Sequence, residues 1–148
     1  MTLFFKPIHR LLLLAVLTCG SAAFAQKIPS EDEREVLIKS ALMTLNDANL
    51  TGNYQVFCAR ASRQFQTKCT GTVMADAFRS FRDNKMNMES IVADEIHSMK
   101  EMSIDKDGVL LLKGRFKDDE KRISFDLKFV KNEAVWKLLG IAVNYKSE

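Results

Sequence analysis

Arg122-Ile123-Ser124-Phe125-Asp126-Leu127-Lys128-Phe129 is the stretch whose reading decides the fold. Ile123, Phe125, Leu127 and Phe129 alternate with Arg122, Ser124, Asp126 and Lys128. Successive side chains of an extended chain point to opposite faces, so one face here is apolar and the other polar. That is the pattern of a strand with one side on a core and the other in water.

Reading outward, the same rhythm continues on both sides. Asn132 and Glu133 turn the chain into a last strand, Val135 to Tyr145. Its alternation places Trp136, Leu138 and Ala142 on one face and Val135, Leu139, Ile141 and Val143 on the other, so neither face is fully wet. Toward the N-terminus, the charged run Lys117-Asp118-Asp119-Glu120 makes a turn after a strand from Val109 to Phe116. Asp105-Lys106-Asp107-Gly108 forms a tight hairpin turn, because an Asp-Gly pair tolerates the positive backbone angles such turns need. Met102 and Ile104 belong to the strand before it, so the period of 2 begins at about Met99.

Upstream of Met99 the period is near 3.6. Ser30, followed by Glu31, Asp32 and Glu33, is a capping box whose carboxylates also sit at the positive end of a helix dipole. Ile38, Ala41, Leu42 and Leu45 then predict a helix over 31–48, ended by the stretch 49–53 with Gly52. Tyr54, Phe57, Cys58, Ala61 and Phe65 predict a second helix over 53–65. Val73, Met74, Ala77, Phe78 and Phe81 give a third apolar stripe, with Asp76, Arg79 and Arg82 turned outward. Met86, Met88, Ile91, Val92 and Ile96, within 84–98, fit a short helix or an irregular crossing equally well. The expected class is α+β: three N-terminal helices packed on a curved, four-stranded antiparallel sheet.

The first 25 residues read as a removable secretion signal. Lys6 and Arg10 precede the apolar run Leu11 to Val16, and Ala23-Phe24-Ala25 ends in the small residues a signal peptidase accepts. Leu17-Thr18-Cys19-Gly20 resembles a lipobox, but Thr18 stands where Gly, Ala or Ser is usual. Cleavage is expected after Ala25, leaving residues 26–148 as one domain, exported to the periplasm or medium. The apolar run is shorter than the roughly 20 residues a spanning helix needs, so no transmembrane segment is expected.

The whole chain has 22 basic and 19 acidic residues, a formal charge of +3. Loss of Lys6 and Arg10 with the signal leaves 20 and 19, so the basic character belongs mostly to the precursor and no nucleic-acid partner is implied. Cys19 leaves too, and an even pair in an oxidising compartment, Cys58 and Cys69, is most simply a disulfide. Two buried thiols that never meet are the other reading. A metal site is not expected, because His97 is the single histidine after the signal and is remote from both cysteines.

The chain resembles the nuclear transport factor 2-like, cystatin-like cone superfamily. The resemblance is carried by Asp107-Gly108-Val109-Leu110-Leu111-Leu112-Lys113-Gly114-Arg115-Phe116, by Phe125-Asp126-Leu127-Lys128-Phe129 and by Trp136-Lys137-Leu138-Leu139-Gly140-Ile141, preceded by the helical stripes. It implies a bent sheet wrapped around a long first helix, a pocket between sheet and helices, and in some members pairing through the outer sheet faces. Val135, Leu139, Ile141 and Val143 would form that dimer face; a covered, central position for the strand explains them equally.

Catalytic members need an acid, base or His–Asp pair inside the cone. The inward face of the best strand offers only Ile123, Phe125, Leu127 and Phe129, with Asp126 alternating away, and no catalytic residue is assigned. His97, with Glu95 and Ser98 nearby, reads as a boundary residue rather than a proton shuttle, and Tyr54 and Tyr145 as ordinary amphipathic rings. Asp105-x-Asp107-Gly108 lacks the remaining ligands of a calcium loop, and Asn49-Leu50-Thr51 is a formal glycosylation acceptor. Phe57, Phe65, Phe78, Phe81, Phe125, Phe129 and Trp136 are the residues expected to line an apolar ligand pocket. The function expected is an exported, non-catalytic binding module for a small apolar ligand or an envelope protein, with no cofactor. An isomerase- or cyclase-like enzyme acting on a small carbonyl compound and a ligand-free homodimer are the alternatives.

Overall fold

Residues 26–116 and 121–147 are described in a computed structural model of the chain; the signal expected at residues 1–25 and the turn expected at 117–120 lie outside them. Ser30 caps α1, Glu31–Thr51, as its sequence requires. Its Oγ accepts from the Glu33 N–H at 3.3 Å, and Glu33 Oε2 accepts from the Ser30 N–H at 2.9 Å. The Ser30 N–H first, and its hydroxyl second, donating to the same Oε2 at 3.0 Å, hold the Glu33 carboxyl below its ordinary value. Gly52 ends the helix at φ 71°, a left-handed conformation that glycine adopts without a Cβ penalty.

The second and third expected helices are each broken in two. α2 covers Gln55–Arg60 and α3 Arg63–Gln66. Between them Ala61 is extended, and Ser62 is diverted to other work: its hydroxyl accepts from the Phe65 N–H and its own N–H donates to the Leu138 carbonyl at 2.8 Å. A tertiary bond to the sheet therefore overrides the helical stripe. α4, Gly71–Ala77, begins at Thr70, whose side chain accepts from the Val73 N–H. Phe78, at φ −109° and ψ 22°, separates it from α5, Arg79–Asp83. Val73 and Ala77, expected on the apolar stripe, are exposed, whereas Met74, Phe78 and Phe81 are buried. The 84–98 stretch holds a single 3-10 turn, Glu89–Val92.

Four strands follow: β1, Ile96–Ile104; β2, Leu110–Phe116; β3, Lys121–Asn132; and β4, Val135–Ser147. They form one antiparallel sheet in the order β1-β2-β3-β4. β1 starts three residues before the change of rhythm at Met99, because two register shifts, between Ile96 and Ser98 and between Met99 and Glu101, obscure its alternation. Asp105 closes the β1–β2 hairpin: one carboxylate oxygen accepts from the N–H groups of Asp107 and Val109, each at 2.9 Å, while Gly108 sits at φ 77°.

The helices cover one sheet face. Ile123, Phe125, Leu127 and Phe129 of β3 are all buried, and so are Leu110, Leu112 and Phe116 of β2, in one cluster with Ile38, Leu42 and Leu45 of α1. Each such side chain removed from water contributes about 1.5–3 kcal/mol.

A bulge accounts for the doubly apolar last strand. Lys128 pairs with Gly140, but Phe129 pairs with Leu138, so Leu139 is the extra residue. On one side of it Leu138 shares the core face with Phe129; on the other, Ile141 and Val143 share that face with Leu127 and Phe125. The expected grouping of Val135, Leu139, Ile141 and Val143 as one outer dimer face is thus corrected. Val143 is buried, Ile141 packs on the core, Leu139 is half-buried, and Val135 is exposed.

Among the described residues no helix is long and apolar enough to cross a membrane.

Candidate functional site

The two cysteines meet. A disulfide joins Cys58 of α2 to Cys69, just before α4, across a Cα separation of 5.5 Å. It ties the short helices together around α3, which has no fully buried residue of its own.

Beside this crosslinked region lies an apolar groove of about 260 Å³ between α1, α2 and the start of β4. Phe57, Ala61, Phe129 and Leu138 form its buried floor, and Leu37, Ala41 and Trp136 are partly buried walls. Val36 and Val135, 63% and 55% exposed, stand as apolar lips. Hydroxyls come from Ser40 and Thr44, and cations from Arg60 and Lys137. The Thr44 hydroxyl donates to the Ser40 carbonyl at 2.7 Å, and its oxygen receives Arg60 Nη1 at 3.4 Å. The Trp136 ring carries the Lys131 ammonium 5.0 Å from its centroid.

Of the seven aromatics expected to line one pocket, Phe57, Phe129 and Trp136 border this groove. The other four serve packing. Phe65 meets Phe57 edge-on at 6.3 Å, Phe78 and Phe81 meet edge-on at 5.6 Å, and Phe125 lies 5.6 Å from Phe116. Phe81 also borders two other clefts, of about 750 and 480 Å³, one with Val143 and Tyr145, the other with Arg82 and Lys85.

Sequence reasoning missed the α1 side of the groove. Ala41 was already on the main stripe, but Val36, Leu37 and Thr44, which stand beside it at helical spacing, form a second, weaker stripe that could have been read. It also missed two buried asparagines standing four residues after Leu42 and Leu45. Asn46 Oδ1 accepts from the Met88 N–H at 2.8 Å, pinning the irregular 84–93 segment to α1. Asn49, 6% exposed, accepts the Tyr54 hydroxyl at 2.6 Å, and that hydroxyl receives Arg82 Nη1 at 2.7 Å. Arg82, expected to point outward, is therefore turned in. Asn49 lies in the last turns of α1 with its side chain enclosed, so the glycosylation acceptor is closed to a transferase in the folded chain.

His97 and Glu95 are exposed, and His97 sits on β1, at the opposite edge of the sheet from β4. The groove thus gathers neither of them. No family model, curated protein or solved structure matches this chain.

Proposed function

We propose that the chain is an exported binding module with a nuclear transport factor 2-like cone, and that the α1–α2–β4 groove takes a small apolar molecule. The groove itself carries this reading: a concave site with a buried aromatic floor, opened by two exposed valines rather than closed by them. Its lining offers hydroxyls and cations but no carboxylate, imidazole or thiol, which suits binding better than proton transfer. The export signal read at residues 1–25, the disulfide and the order of helices before an antiparallel sheet support the wider assignment.

Trp136 is the single tryptophan and lines the groove, so its fluorescence reports occupancy directly. Burying about five methylenes at about 0.8 kcal/mol each gives about 4 kcal/mol, a Kd of order 1 mM for a simple aliphatic probe. Octan-1-ol is expected to shift Trp136 emission saturably, and Ala41→Leu, which fills the groove from α1, to abolish the shift. An emission spectrum unchanged up to the solubility limit of the alcohol would refute the groove as a binding site.

A further inference from the structure

We infer that the natural occupant of the groove is a small amphipathic monocarboxylate, with its acid group on the Arg60 guanidinium and its apolar part on the aromatic floor. This rests on the groove being a binding site. Arg60 is exposed at the end of α2, and its one contact among the described residues is the Thr44 hydroxyl at 3.4 Å, which takes a single donor of the five a guanidinium carries. Among the described residues Arg63, Arg79, Lys39, Lys106 and Lys113 pair with carboxylates, whereas Arg60, like Lys68, Lys85 and Lys100, does not; of these unpaired cations Arg60 borders the groove. Asp47 borders the neighbouring cleft with Arg60 but forms no ion pair with it.

The second groove cation, Lys137, also lacks an acidic partner among the described residues, and the lining contains no acid at all. Two cations held next to desolvated aromatic surface, without counter-charges, complement a ligand that brings its own anion. The planar fork of arginine matches a carboxylate in two parallel hydrogen bonds. Size selects among such anions. A volume of 260 Å³ holds about nine groups of about 30 Å³ each, enough for an acid of some eight carbons and too little for the paired chains of a membrane lipid.

Three probes of equal chain length separate the possibilities: octanoate, octan-1-ol and octylammonium, titrated into the oxidised mature protein and read by Trp136 fluorescence. Octanoate is expected to bind about five- to tenfold more tightly than the alcohol, and octylammonium more weakly than either. In Arg60→Gln the octanoate-to-octanol affinity ratio is expected to fall toward one, and in Arg60→Lys to stand between. Alcohol and carboxylate binding equally in the wild type, or a ratio unmoved by Arg60→Gln, would overturn the carboxylate while leaving the groove in place. No binding by any of the three overturns the groove reading itself. So does a chain that sediments as a dimer with Trp136 silent to all three probes, since a second copy then fills the site.

Discussion

Replacing Gly114 by alanine places a methyl group where the sheet has no room for one. Gly114 lies on the core face of β2, paired with Met99 of β1 and Phe125 of β3. An added Cβ would stand 2.6 Å from the Ser98 carbonyl oxygen, 2.9 Å from the Phe125 ring and 3.1 Å from Met99 Sδ. The sulfur can swing away and the ring can tilt, but the carbonyl belongs to the backbone of a strand whose register already shifts at that point. Overpacking of this kind costs about 1–3 kcal/mol. With a urea dependence of about 1–3 kcal/mol per molar, the unfolding midpoint should fall by about 1 M with little change in slope. Gly71→Ala is the matched control, because that position begins α4 with open space around it, and its midpoint should stay level or rise. Phe125→Leu should not rescue Gly114→Ala, since it leaves the carbonyl in place. Equal midpoints for Gly114→Ala and the wild type would refute the close approach of β1 and β2 on which the core is built.

Removing the disulfide with Cys58→Ser and Cys69→Ser together frees a loop spanning 11 positions, for which chain entropy predicts a loss of about 3 kcal/mol in thermal unfolding; two alkylatable thiols in the oxidised wild-type protein would contradict the crosslink. Asn46→Ala strips the acceptor from the buried Met88 N–H and should cost about 1–3 kcal/mol, with amide exchange at Met88 and Ile91 rising first; unchanged exchange there would deny the tether between α1 and the 84–93 segment. The Glu33 carboxyl is held down in the folded state, so its contribution is complete above the unfolded pKa and is lost as the pH falls through the folded one. NMR titration of Ser30→Ala, which keeps the backbone N–H and removes only the hydroxyl, should find that pKa moved part of the way back up; an identical titration curve would show that the hydroxyl does not act on it.

The strands were the most legible part of this protein. A half-buried strand writes its burial into every second residue, and Ile123 to Phe129 does so without interruption. The Asp-Gly turn and the Ser30 cap were equally plain, because each depends on atoms within four residues. The groove was legible only in part. Phe57, Phe129 and Trp136 were among the seven aromatics expected to line an apolar pocket, but Arg60 and the α1 wall gain meaning only once α2 lies against α1.

Local chemistry, then, determined the class of fold, the change from helices to strands and the cysteine pair, since propensity, capping and alternation act over a few residues. Tertiary structure decided where Ser62 and Phe78 break the helices, which way Arg82 turns, and that one extra residue, Leu139, carries the apolar side of β4 from one face to the other. These outcomes depend on partners far away in the chain: the Leu138 carbonyl for Ser62, Tyr54 for Arg82 and Lys128 for the bulge. Energies from such distant contacts match or exceed the local preferences they override, and a linear pattern holds no trace of them.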